Sequence, residues 1–118
     1  MEDSILTSVK KMLGLSEEYT HFDLDIILHI NTVLNTLNQI GAGINGFTIS
    51  DKTSTWQDFM GDRTDLEFVK SYVYLKVRMI FDPPQSSSLM EAVNKSIAEL
   101  EWRISVTVDP GGEVPNNG

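Results

Sequence analysis

The sequence predicts an all-α protein: a small helical bundle of about four main helices, with a long Gly-rich loop between helices 2 and 3 and an extended C-terminal tail. Three observations carry this. Residues Asp65 to Arg103 read as two helical patterns, Asp65 to Phe81 and Ser88 to Arg103, hinged at Asp82-Pro83-Pro84-Gln85. Ile26, Ile30, Val33, Leu37 and Ile40 recur at alternating steps of four and three, the period of one buried helix face. The chain has 118 residues and no cysteine, so it is long enough for one domain with a real core and builds that core without disulfides. Residues 1–104 are expected to form the helical domain and residues 105–118 a flexible or extended tail.

The first helix starts at Ser4, whose hydroxyl suits an N-cap, and runs to about Leu13. Ile5, Leu6, Val9, Met12 and Leu13 lie on one side, and Lys10 and Lys11 fall in the last turn, where cations suit the helix dipole. Gly14 supplies the stop. After a polar connector, a second helix runs from about Phe22, with Asp23 and Asp25 in its first turn, to a stop at Gly41. Ile27 and Leu34 broaden its apolar stripe. Its other face is uncharged and polar, with Asn31, Asn35, Thr36, Asn38 and Gln39. Two readings stand for that face: it is solvated, or it lies against another subunit, where amides hydrogen-bond without desolvating a charge.

Residues 41–61 are the least helical internal stretch. Gly41, Gly43 and Gly46 precede Phe47-Thr48-Ile49-Ser50, which reads as a short strand or an extended loop. A connection of this length often marks a functional loop. Thr55 to Met60 adds one helical turn that brings Trp56 and Phe59 together, either as the loop's anchor or as a partner-binding pair. Asp62 or Thr64 caps the third main helix, whose apolar residues are too numerous for one stripe, so that it buries more than one face. Pro83 stops it, because the residue before a proline is pushed out of the helical region. Ser88-Leu89-Met90-Glu91 reads as a capping box for the last helix, with Leu89, Val93, Ile97, Leu100 and Ile104 as its stripe. Trp102 lies off this stripe, covering the bundle end or meeting a neighbouring subunit. Val106-Thr107-Val108 is strand-like, and Asp109 to Gly118 has the composition of a flexible tail; two readings stand for the segment, disorder in the isolated chain, which is favoured, or a short extended segment that adds a strand to a partner on assembly.

Composition and motif spacing argue against most chemistry. Nine Lys and Arg against 17 Asp and Glu give a formal charge of −8, and without a basic cluster tight phosphate binding is not expected. The acidic N-terminus lacks a signal-peptide pattern, and no run approaches the ~18 apolar residues of a membrane span, so the expectation is a soluble, unprocessed chain. Gly41-Ala42-Gly43-Ile44-Asn45-Gly46 matches G-x-G-x-x-G, but follows a helix where a dinucleotide site needs a strand, and so reads as a loop. His21 and His29 lack a spaced carboxylate set, and the serines sit at caps or in loops without a nucleophile elbow. No catalytic, metal or cofactor-binding residue is assigned. The candidate contacts with partners are Asn31, Asn35, Asn38, Phe47, Trp56, Trp102, Val106 and Val108.

The run from Val69 through Phe81-Asp82-Pro83-Pro84, then Ser86-Ser87-Ser88 and Glu99-Leu100-Glu101-Trp102-Arg103, resembles the small head-tail connector (adaptor) proteins of tailed bacteriophages. So does the Ile- and Asn-rich helix from Asp23 to Gly41. The resemblance covers most of residues 1–104 and rests on helix order and the Phe-Asp-Pro-Pro-x-Ser-Ser turn. It implies a non-catalytic virion protein, located in the neck and assembled in the host cytoplasm, that forms a homo-oligomeric ring below the portal. Such a ring extends the DNA channel and docks a downstream neck or tail-completion protein. DNA passes through it without specific binding, which suits an acidic subunit, and neither a cofactor nor a membrane is implied. The alternative is a small cytosolic helical module for protein binding or regulation.

Overall fold

The computed structural model describes residues 4–63 and 66–108. Its elements are α1 (Ile5–Met12), α2 (Asp23–Ile40), α3 (Trp56–Met60), α4 (Leu66–Phe81) and α5 (Ser87–Val108), with no strand among the described residues. The all-α bundle predicted from periodicity is therefore the fold.

Local chemistry sets most boundaries. Ser4 Oγ accepts the Thr7 N–H at 3.1 Å and opens α1. Gly41, at φ +108°, closes α2 in the left-handed region, with its N–H on the Leu37 and Asn38 carbonyls. Thr55 and Asp58 form a reciprocal capping box at the start of α3, each side chain accepting the other's backbone N–H at 3.0–3.1 Å. The cap expected at Asp62 or Thr64 concerns a helix start whose residues 64 and 65 lie outside the described ones.

Two expectations are corrected at α5. Its cap is Ser86, whose hydroxyl accepts the Leu89 N–H at 3.1 Å, rather than Ser88. Three serines in a row offer three equivalent caps, and the corner at Pro83 and the buried Pro84 selects the first. Leu89 consequently sits in the first turn, exposed, and the buried stripe begins at Val93. At the other end, Val106-Thr107-Val108 is helical and not strand-like. Local β-propensity loses there to packing: Ile104 is fully buried, Val108 packs beside Gly41, Thr107 Oγ1 donates to the Arg103 carbonyl at 2.7 Å, and Arg63 donates to the Thr107 carbonyl at 3.3 Å. The tail expected over residues 109–118 lies outside the described residues.

Helix α4 is the centre of the bundle and packs against α1, α2, α3 and α5. Val69, Tyr72, Val73 and Val77 are fully buried, and Phe68, Leu75, Met79 and Phe81 are partly so. The T-shaped contact of Phe22 with Phe81, 5.2 Å between centroids, sets the start of α2 against the end of α4, so the two run antiparallel. Helix α5 returns beside α2 and ends at Gly41. Tyr72, fully buried, donates its hydroxyl to Glu101 Oε2 at 2.7 Å and ties α4 to α5. Burial and, to a smaller degree, Glu101 push the Tyr72 hydroxyl well above its ordinary range.

The long loop is held by side chains of α2. Asn31 accepts the Ile49 N–H at 2.8 Å and donates to the Ile49 carbonyl at 2.9 Å, capturing one loop residue as a neighbouring strand would. Asn38 donates to the Ala42 and Ile44 carbonyls and accepts the Gly46 N–H. Of the two forms expected for residues 47–50, the extended loop is present. The loop ends by meeting the N-terminus, where Ile5 donates to the Ser54 carbonyl and Ser4 bridges Thr55. Gly43 has φ +79° and lies against the Phe59 ring; a Cβ there would approach Phe59 Cζ to 2.2 Å.

Two stability measurements follow. By urea denaturation, Gly43→Ala is expected to lose about 3 kcal/mol and Gly46→Ala, which has a positive φ but open space, about 1 kcal/mol. For Tyr72, the raised folded-state pKa means that the tyrosine contributes stability below the unfolded value of about 10 and loses it as pH rises further. Melting temperature is therefore expected to fall above pH 10 more steeply in the wild type than in Tyr72→Phe.

Candidate interaction surfaces

Several residues that sequence reasoning marked as outward contacts are used internally. Trp56 is 2 % exposed, and its indole N–H donates to Ser8 Oγ at 2.7 Å, which anchors the loop on α1. Phe47 is half-buried on Phe59, 5.4 Å between centroids. Asn31 and Asn38, both half-buried, spend their amides on the loop backbone, and Val108 is half-buried beside Gly41. Asn35, Trp102 and Val106 face solvent.

Trp102 is 65 % exposed and Val106, one turn later, 47 %. Beside them a shallow groove of about 450 Å³ runs between α5 and the last turns of α2, walled by Thr36, Gln39, Ile40, Ala98, Trp102 and Ser105. Two more outward residues were not foreseen. Leu24 is 82 % exposed and Leu28 64 %, and with Thr32, Asn35 and Gln39 they make an uncharged strip along the outer line of α2. The signal was available: Leu24 and Leu28 are one turn apart and lie opposite the Ile26–Ile30–Leu37 stripe.

A cleft of about 350 Å³ opens between α1, the start of α2 and the end of the long loop. Leu6, Leu24 and Ile27 form its apolar wall, and Glu17, Asp51 and Lys52 lie around it. Lys10 lies at its base, 2 % exposed, with its ammonium 2.8 Å from Asp23 Oδ1 and donating to the Glu17 carbonyl at 3.0 Å. Sequence reading placed Lys10 in the last turn for its charge, whereas its position four residues after Leu6 and three before Leu13 puts it on the apolar stripe. Thr53 donates to the Asp51 carboxylate from both its hydroxyl and its backbone N–H, which holds Asp51 below the usual carboxylate range. The cleft thus combines an apolar wall with a charged, hydrogen-bonded rim.

His21 belongs to an aromatic group with Tyr19 and Phe22, and no group of three His, Cys, Asp or Glu suited to a metal occurs among the described residues. Nor is any described helix long and apolar enough to cross a membrane. What the surface offers is contact area: the α2 strip, the Trp102 ridge and the cleft.

Residues 5–111 match a family model described as phage connector protein, a span that takes in all five helices. No curated protein and no solved structure matches the chain.

Lys10→Met is expected to lower stability by about 2 kcal/mol, less than for a wholly enclosed pair because Asp23 keeps 24 % of its side chain exposed. The double variant Lys10→Met/Asp23→Leu should recover more than half of that loss in urea denaturation. Equal losses in the single and double variants would show that the ammonium's hydrogen bond to the Glu17 carbonyl, and not the ion pair, matters there.

Proposed function

The chain belongs to the phage connector protein family, structural and non-catalytic proteins of the virion, and on that premise we propose that it is a head-tail connector subunit that forms a ring below the portal. In that role the ring continues the DNA channel out of the filled head and presents a docking surface to a downstream neck or tail-completion protein. The observation that carries this reading is the family match across 5–111, because it includes every helix of the bundle.

The surface supports it. A channel that lets DNA pass must not grip phosphate, and the chain carries a formal charge of −8 with no run of more than two basic residues in its sequence. Several basic side chains stand beside carboxylates: Lys10 on Asp23, Lys70 on Glu67 at 3.7 Å, and Arg103 on Glu99 at 2.9 Å. The uncharged α2 strip and the exposed Trp102 suit protein–protein contact, where aromatic anchors carry much of the energy and charges are sparse at the centre. The contacts with the portal and the downstream protein would then be made by the remaining exposed surfaces, including Asn35.

Electron microscopy of the protein mixed with its portal tests this. The expected result is a ring of added density on the narrow end of the portal. A chain that stays monomeric at high concentration and never joins the portal would overturn it.

A further inference from the structure

The Trp102 ridge and the α1 cleft lie on opposite flanks of α2. At about 100° per residue, the α2 residues that wall the cleft (Asp23, Leu24, Ile27) and those that wall the groove beside Trp102 (Thr36, Gln39, Ile40) point in mean directions roughly 170° apart. The flank assignment is independently supported by packing: the loop clamped by Asn31 lies on the cleft side, whereas α5 lies on the other. A knob and a hole on opposite sides of one rigid bundle cannot meet within the molecule. They meet when a second copy is placed beside the first.

We propose that Trp102 and Val106 of one copy seat in the cleft walled by Leu6, Leu24 and Ile27 of the next copy. The inference deepens the ring reading above and depends on it only for closure into a ring; the pairwise contact stands on the geometry alone. Closed rings of more than two subunits require such a heterologous contact, in which each copy gives a different surface to each neighbour. A partner of another kind, binding one flank, would leave the other uncovered. The chemistry of the two surfaces also fits. The indole offers a broad apolar face and one N–H donor; the cleft offers an apolar wall and carboxylate acceptors from Glu17 and Asp51 at its edge. Leu24, 82 % exposed, stands at the mouth and would be covered by the incoming ring. Copies that each carry −8 repel one another, so an apolar anchor that needs no charge pairing is the contact that association can use. Screening should accordingly strengthen assembly as salt is raised.

The contact is tested with two exposed-site variants, Trp102→Glu, which removes the knob, and Leu24→Glu, which spoils the cleft mouth. Both positions are solvent-facing, so thermal melts should match the wild type. Assembly is read by sedimentation velocity for the protein alone and by electron microscopy on portal particles. Each variant by itself is expected to need about thirtyfold more protein to assemble, the loss of one aromatic anchor. Mixed together they should form a one-to-one pair and stop there, because the Leu24→Glu chain still has a knob and the Trp102→Glu chain still has a cleft. Wild-type-like rings from either variant, or a mixture that forms no pair, would overturn the contact while leaving the connector role intact. A wild-type chain that remains monomeric both alone and with the portal would overturn the contact and the connector role together.

Discussion

Between Phe68 and Met79 no residue of α4 is fully exposed. That constraint governs the rest of the molecule. A helix buried or half-buried over its middle turns must be packed on several sides, and the chain does so by giving up one face each of α1, α2, α3 and α5. The apolar side chains Val69, Tyr72, Val73 and Val77 supply the driving force, each side chain of this kind contributing about 1.5–3 kcal/mol when fully buried. The proline corner at Pro83-Pro84 then matters for direction. It ends α4 and starts α5 within a few residues, so that α5 must fold back along the helix it has just left.

Surrounding one helix with four others leaves a long connection between α2 and α3, and polar side chains of the bundle hold it down. Asn31 and Asn38 act as substitutes for a neighbouring strand or turn, meeting backbone donors and acceptors that would otherwise be left without partners. The same economy appears at Trp56, whose indole N–H finds Ser8, and at Lys10, which keeps its charge in an apolar setting only because Asp23 and the Glu17 carbonyl meet it. The uncharged character of α2 thus has two causes. Where the helix turns toward the loop, its amides staple; where it turns outward, Leu24, Leu28, Asn35 and Gln39 are left for a partner.

That division accounts for how the candidate contacts sort. Asn35 and Trp102 could be read from the sequence as outward residues because each falls off a clear apolar stripe, whereas Val106 was expected outward as part of a strand-like tail and is outward on a helix instead. Asn31, Asn38, Phe47, Trp56 and Val108 looked similar by residue type, yet their fate depended on a loop whose path no local pattern encodes. Leu24 and Leu28 were passed over for the opposite reason, since apolar residues in a helix are first credited to the core.

The sequence by itself determined the helices, their order, their stops at Gly14, Gly41 and the proline corner, and the residues of the main stripes. These rest on interactions within about one turn of the chain, which periodicity and caps record directly. Only the tertiary structure decided which serine caps α5, how far that helix runs, that Lys10 is buried, and that the Trp102 ridge and the α1 cleft stand on opposite flanks of α2. The cap follows from the burial of Pro84 two residues earlier, and the others depend on residues distant in the chain: Gly41 against Val108, Asp23 beside Lys10. Local propensity at Val106 and Thr107 differs from packing by less than burying Ile104 and Val108 returns, and that difference is settled only when the distant surfaces meet.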